Sequence, residues 1–122
     1  MSIPVDLHDL RAVAAGQAPF AYLLTVSDDS SAHAVAISPT IGDDSITCEA
    51  GKRSCANAAA RPNVSLLWPP ATPDDYSLIA DGTATVDGST VRIVPARAVR
   101  HRPAPSGTGS DCAPVALTDT RP

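Results

Sequence analysis

Between Ala50 and Trp68 the chain runs Ala-Gly-Lys-Arg-Ser-Cys-Ala-Asn-Ala-Ala-Ala-Arg-Pro-Asn-Val-Ser-Leu-Leu-Trp, and no other stretch limits the fold as tightly. A strand pattern breaks there, a short helix is bounded on both sides, and a strand resumes. Ser54 is read as the N-cap, its hydroxyl accepting from backbone N–H groups one turn in. Cys55 to Ala60 are mostly good helix formers, and Pro62 stops the helix by lacking an N–H and clashing with the previous turn. A helix of about two turns is marginal alone. Its alanine face must therefore pack on strands, which makes this a β protein with one clamped helix.

Lys52 and Arg53 stand at the positive end of that helix, where the macrodipole disfavours cations. An anion between them removes the conflict, because the first-turn N–H groups, the dipole, the two side chains and the Ser54 hydroxyl all favour negative charge. The local residues fit two readings, a phosphate or carboxylate cradle and a solvated basic turn.

The rest of the chain is read from its alternation and its turns. Val5 to Ala15 places apolar residues at helical spacing, with Gly16 closing a short amphipathic helix. Phe20–Val26 and His33–Ser38 are strands joined by the polar turn Ser27-Asp-Asp-Ser-Ser31. In the second, Ala34, Ala36 and Ser38 leave one face nearly bare, so either a flat ligand or a packed helix could approach the backbone there. Ser45–Ala50 alternates and runs straight into the cradle. Tyr76–Val86 is a long strand with Gly82 as a bulge or bend, and Asp87-Gly88 turns it into Thr90–Val94. Pro95 interrupts, and Ala96–His101 reads as an edge strand. The expected fold class is mainly β, a small six-stranded split β-barrel with two short α-helices, because closure protects strand edges.

Composition excludes several function classes. At 122 residues with 43% hydrophobic and 18% charged, the chain is one folded domain. A net charge of −4 argues against a nucleic-acid binder. Cys48, Cys55 and Cys112 have no metal-ligand spacing, and an odd count suits reduced thiols. The first residues show no basic and apolar leader, and no apolar run reaches membrane-spanning length, so a cytoplasmic protein is expected. No Ser-His-Asp set, HExxH or paired-carboxylate motif is present. Asp28-Asp29, Asp43-Asp44 and Asp74-Asp75 all fall in turns, where turn-making is their expected role. From Arg102 the apolar periodicity stops, which predicts a domain over residues 1–102 and a disordered tail over 103–122.

The order of these signals resembles the pyridoxamine 5′-phosphate oxidase-like FMN-binding split-barrel family. The resemblance rests on His33–Ser38, on Ser45–Ala50, and on Gly51–Trp68, which is similar to the family's Ser-Arg-Lys…Asn-Pro-x-x-x-Leu-Leu-Phe run. It implies that Arg53 takes the place of a phosphate-binding arginine, that Ser54 replaces the neighbouring lysine, and that Lys52 supplies its charge. It further implies cofactor contacts from Thr47, Cys48, Ala36, Ser38 and Asn57. Catalytic residues are left unassigned, since hydride chemistry would belong to the flavin.

The implied protein is a homodimer holding FMN, a flavin-dependent oxidoreductase acting on a small-molecule substrate of unknown identity. The alternatives are a deazaflavin (F420)-dependent reductase and a non-catalytic flavin- or haem-binding protein.

Overall fold

The computed structural model describes residues 1–103. The tail expected over 103–122, and Cys112 with it, lies outside the described residues save for Pro103. In chain order the elements are β1 (Ser2–Val5), a 3-10 turn (Leu7–Asp9), α1 (Leu10–Ala15), β2 (Ala21–Val26), β3 (Ala32–Ile37), β4 (Thr40–Ile41), β5 (Ile46–Glu49), α2 (Lys52–Ala60), β6 (Asn63–Trp68), β7 (Ser77–Asp87) and β8 (Thr90–His101). The strands form one antiparallel sheet in the order β3-β2-β6-β7-β8-β5-β4, with β1 also on β8.

Period-two alternation decides which side of each strand faces inward. Ala21, Leu23 and Thr25 of β2 are buried, as are Val64, Leu66 and Trp68 of β6. With Ile46, Leu78, Val91 and Ile93 they fill the interior of the curled sheet, where Trp68 plugs the core. On β8 the buried positions are Val91 and Ile93, then Ala98, so the alternation changes phase. A bulge causes the change. Asp81 pairs with Arg97 while Gly82 pairs with Pro95, leaving Ala96 as the extra residue. Proline is tolerated there because the ladder is already broken.

Three expectations need correction. Eight strands form rather than six, the additions being β1 and the two-residue β4. The helix expected over Val5–Ala15 starts later, as a 3-10 turn at Leu7–Asp9 followed by α1 at Leu10–Ala15, because Val5 belongs to β1, which pairs with Ala98–His101, and Asp6 caps the turn by accepting from the His8 N–H. Residues 96–101 are therefore not an edge: β7 lies on one side and β1 on the other, because β5 covers only the Thr90–Ile93 half of β8. The true ends of the sheet are β3 and β4.

Candidate anion-binding site

The helix of the cradle begins earlier than the Ser54 cap suggests. Gly51 is the N-cap, in extended backbone with no side-chain cap bond, and Lys52, Arg53 and Ser54 form the first turn. The first bond of the helix runs from Cys55 N–H to Gly51 O at 3.0 Å. The N–H groups of Lys52, Arg53 and Ser54 are thus the unpaired donors every helix start presents. Ser54 turns inward and is 2% exposed, whereas Lys52 and Arg53 are exposed.

Two clips fix the helix on the sheet. The Asn57 amide donates to Thr25 Oγ1 at 3.1 Å and to Ser27 Oγ at 3.2 Å. Arg61, the C-cap, donates from Nε to Val26 O at 2.7 Å and pairs with Asp28 at 2.6 Å. A cation at the C-terminal end also suits the dipole. Both clips hold α2 to β2 and its turn, so the N-terminus keeps a set position between the ends of the sheet.

A cavity of about 520 Å³ opens there, with His33, Val35, Ala36 and Ile37 of β3 on one wall. The opposite wall is Glu49, Ala50, Gly51, Lys52, Arg53 and Ser54, with Ser89 from the turn between β7 and β8. Among the described residues, neither Lys52 nor Arg53 has a carboxylate within ion-pair distance. Glu49 accepts from Ser89 Oγ and Thr90 Oγ1, each at 2.5 Å, and these bonds hold its carboxyl below the usual range. Asp29 is likewise held low, by the Ser31 hydroxyl and amide first and by the Arg53 charge last.

Lys52, Arg53, Ser54 and Ala36 come together around this cavity. The other residues proposed from sequence do not line it. Thr47 pairs with Thr40 and Arg92 on the outer side of β5. Cys48 is 4% exposed within the core, and its burial pushes the thiol up to about 11. Ser38 is exposed beyond the end of β3, and Asn57 is turned toward Thr25. Sequence reasoning passed over Glu49 and Ser89 as site residues. The pairing of Glu49 with Thr90 brings them in, and no local signal in either segment announces that register.

A larger cleft of about 780 Å³ lies between α1 and the turn at Gly42–Ser45. Its charges are already engaged, since Arg11 spans it to Ile41 O at 3.1 Å and to Asp43 at 3.4 Å. The paired aspartates act in turns as expected: Asp28 meets Arg61, Asp29 accepts from Ser31, and Asp75 accepts from the Tyr76 N–H. Among the described residues no cluster of His, Cys, Asp or Glu could hold a metal, and no helix is long and apolar enough to cross a membrane.

No protein-family model matches the chain. The proteins Mb0449c of Mycobacterium bovis and MT0457 of Mycobacterium tuberculosis are each 42% identical to it, over 82% of this chain and 82% of theirs. Among solved structures, a Listeria innocua protein named for pyridoxamine 5′-phosphate oxidase superposes with a TM-score of 0.63 at 18% identity, covering 78% of this chain and 98% of that one. The FAD binding protein of Mycobacterium smegmatis gives 0.62 at 16%, covering 84% and 100%. An F420 reductase gives 0.59 at 11%, covering 77% and 97%. The chain therefore belongs to one family with the two mycobacterial proteins, and its fold is that of the pyridoxamine 5′-phosphate oxidase-like split barrels.

Proposed function

We propose that the chain is a flavin-dependent oxidoreductase whose FMN phosphate is anchored at the N-terminus of α2. The observation that carries this reading is one cavity wall that gathers Lys52 and Arg53, neither with an acid partner among the described residues, at the free N–H groups of the first turn of α2. Backbone donors, a positive dipole end and cationic side chains are what a phosphate requires. The bare stretch at Ala36 leaves room for a flat ring along β3. When bound, the flavin supplies hydride transfer; Lys52, Arg53 and Ser54 hold its phosphate, and the β3 wall orients the ring.

The names of proteins with this fold support a flavin-type ligand, and the F420 reductase keeps a deazaflavin as a second reading. The name of the Mycobacterium smegmatis protein speaks of binding alone, which keeps a non-catalytic carrier in view. The binding unit in this reading is the 1–102 domain of a cytoplasmic homodimer, in which a second copy on the sheet face at Ala36 and Tyr22 would cover the open side of the cavity.

The test is to purify the protein, record its absorbance, extract and weigh any chromophore, and titrate the stripped protein with FMN, F420 and haem. Saturable FMN binding with reduction by a nicotinamide donor is expected. Stoichiometric haem binding with no affinity for either flavin would contradict the assignment.

A further inference from the structure

Arg100 carries, at Nε, the one buried side-chain nitrogen or oxygen that lacks a hydrogen-bond partner among the described residues. Strand register puts it there. Arg100 lies on β8 between Leu78 of β7 and Ile3 of β1, two positions beyond the buried Ala98, so its side chain starts from the inward side of the strand where the core ends. A buried donor left unpaired is costly, and an apolar residue would close the core without that cost. A second cation stands beside it. The guanidinium carbon of Arg100 is 4.9 Å from the centre of the Tyr76 ring, and that of Arg102 is 4.5 Å from the same centre. Each contact with the ring is favourable, but the two like charges repel. Among the described residues neither arginine has a carboxylate within ion-pair distance, whereas Arg11, Arg61, Arg92 and Arg97 each do. The acids of the neighbouring turn do not serve them: Asp74 meets Arg102 through its carbonyl oxygen at 3.3 Å, and Asp75 accepts from the Tyr76 N–H at 2.7 Å. Tyr76 is itself held in place, since Gln17 Nε2 donates to Tyr76 O at 2.9 Å and also to Trp68 O and Pro69 O.

We propose that Arg100 and Arg102, with Tyr76 as their platform, form a binding site for a multiply charged oxyanion, a phosphate group or a dicarboxylate, that bridges the two guanidinium groups. The site is separate from the cavity at α2, whose lining includes none of the three residues. A guanidinium over an aromatic ring presents its face to the ring and keeps its N–H edge for oxygens in its own plane, which is the geometry of bidentate oxyanion recognition. An oxyanion that takes the edge formed by Nε–H and one Nη–H gives the orphan Nε its partner. Its charge also offsets the repulsion between the two cations. Arg102 bonds only a backbone carbonyl, so turning it toward an incoming anion breaks one 3.3 Å hydrogen bond.

The experiment is titration of the nitrogen-15-labelled full chain with inorganic phosphate, succinate and chloride at matched ionic strength, following the arginine Nε–Hε resonances, with Arg100→Lys identifying that of Arg100. The Arg100 resonance should move saturably with phosphate or with succinate and not with chloride. Whichever of the two binds more tightly names the source of the oxyanion. Arg102→Gln should weaken that binding by about ten- to a hundredfold, the loss of one charge-assisted contact. Tyr76→Phe keeps the ring and should stay within about twofold of wild type. Arg53→Ala should leave the affinity unchanged, which separates this site from the cradle at α2. Calorimetry of the same titrations reads the affinity without the resonance assignment, so the test stands even if Arg100→Lys folds poorly. A resonance that neither oxyanion moves, one that chloride moves equally, or an affinity unchanged in Arg102→Gln would overturn the site.

Discussion

Asn57 serves two hydroxyls from one amide, and the burial of Thr25 at 2% exposure gives that amide its weight. Asn57→Ala leaves the Thr25 hydroxyl buried without this partner, which costs about 1–3 kcal/mol. Denaturant unfolding should show that loss in the midpoint without a change in slope; an unchanged midpoint would mean that α2 is held by its alanine face alone. Cys48 makes a second prediction. Burial first, then Cys55 and Glu49, raise its thiol from 9.0 to about 11. The unfolded thiol ionises from about 9 while the folded one keeps its proton, so this contribution to stability is complete below pH 9 and is lost as pH rises toward 11. The melting temperature of wild type should fall more steeply over that window than that of Cys48→Ala, and parallel slopes would contradict it. The family resemblance implies that both residues contact the cofactor; the structure places Cys48 in the core and turns Asn57 toward Thr25.

At the scale of elements, the bulge joining β7 to β8 rests on Gly82. A Cβ at this position would meet Val94 O, Ile93 Cγ2 at 2.8 Å and Pro95 Cα at 3.0 Å. Two of these three are backbone atoms, which cannot rotate away. Gly82→Ala should therefore destabilise by about 1–3 kcal/mol, read from thermal or denaturant unfolding. A neutral substitution would mean that the two strands separate more easily than their register implies. The bulge was legible because glycine in a long alternating strand and proline in its partner both break a ladder. The turn at Asp87-Gly88 was legible for the same kind of reason, and Gly88 adopts φ 64°. The short strand at Thr40–Ile41 and the pairing of Ser2–Val5 were not. Two residues, or four with one proline, carry no periodicity of their own, and they are strands only because β5 and β8 offer free edges. The start of α2 was misplaced for a related reason. Serine is the stronger capping type, yet here Gly51 takes the cap and Ser54 is drawn inward to the cavity.

At the scale of the whole molecule, one face of the sheet is left uncovered by the described residues. Ala36, Tyr22, Leu67, Ile79 and Val99 stand in register across β3, β2, β6, β7 and β8, and Leu24 and Val26 extend the apolar area along β2. Tyr22 is 38% and Val26 37% exposed, and Phe20 packs edge-on to Tyr22 at 5.4 Å. Ala36 belongs both to this row and to the cavity wall, so a second copy seated here would also cover the cavity mouth. Light scattering at micromolar concentration should give a dimer, and Leu24→Glu should give a monomer with weakened flavin affinity. A monomeric wild type that binds flavin tightly would contradict the shared site. The resemblance pointed to the fold and to the cation pair, since those reside in contiguous residues. The acid on the opposite wall was hidden, because strand register and not sequence spacing brings Glu49, Ser89 and the helix terminus together. Arg53 is expected to help hold a phosphate. Charge-assisted hydrogen bonds contribute roughly 1.5–3 kcal/mol each, or about ten- to a hundredfold in affinity. The deciding measurement is the ratio of FMN to riboflavin affinity in wild type and in Arg53→Ala. The mutation is expected to lower FMN affinity by about ten- to a hundredfold and to leave riboflavin nearly unchanged; an equal ratio in the two proteins would contradict phosphate anchoring by Arg53.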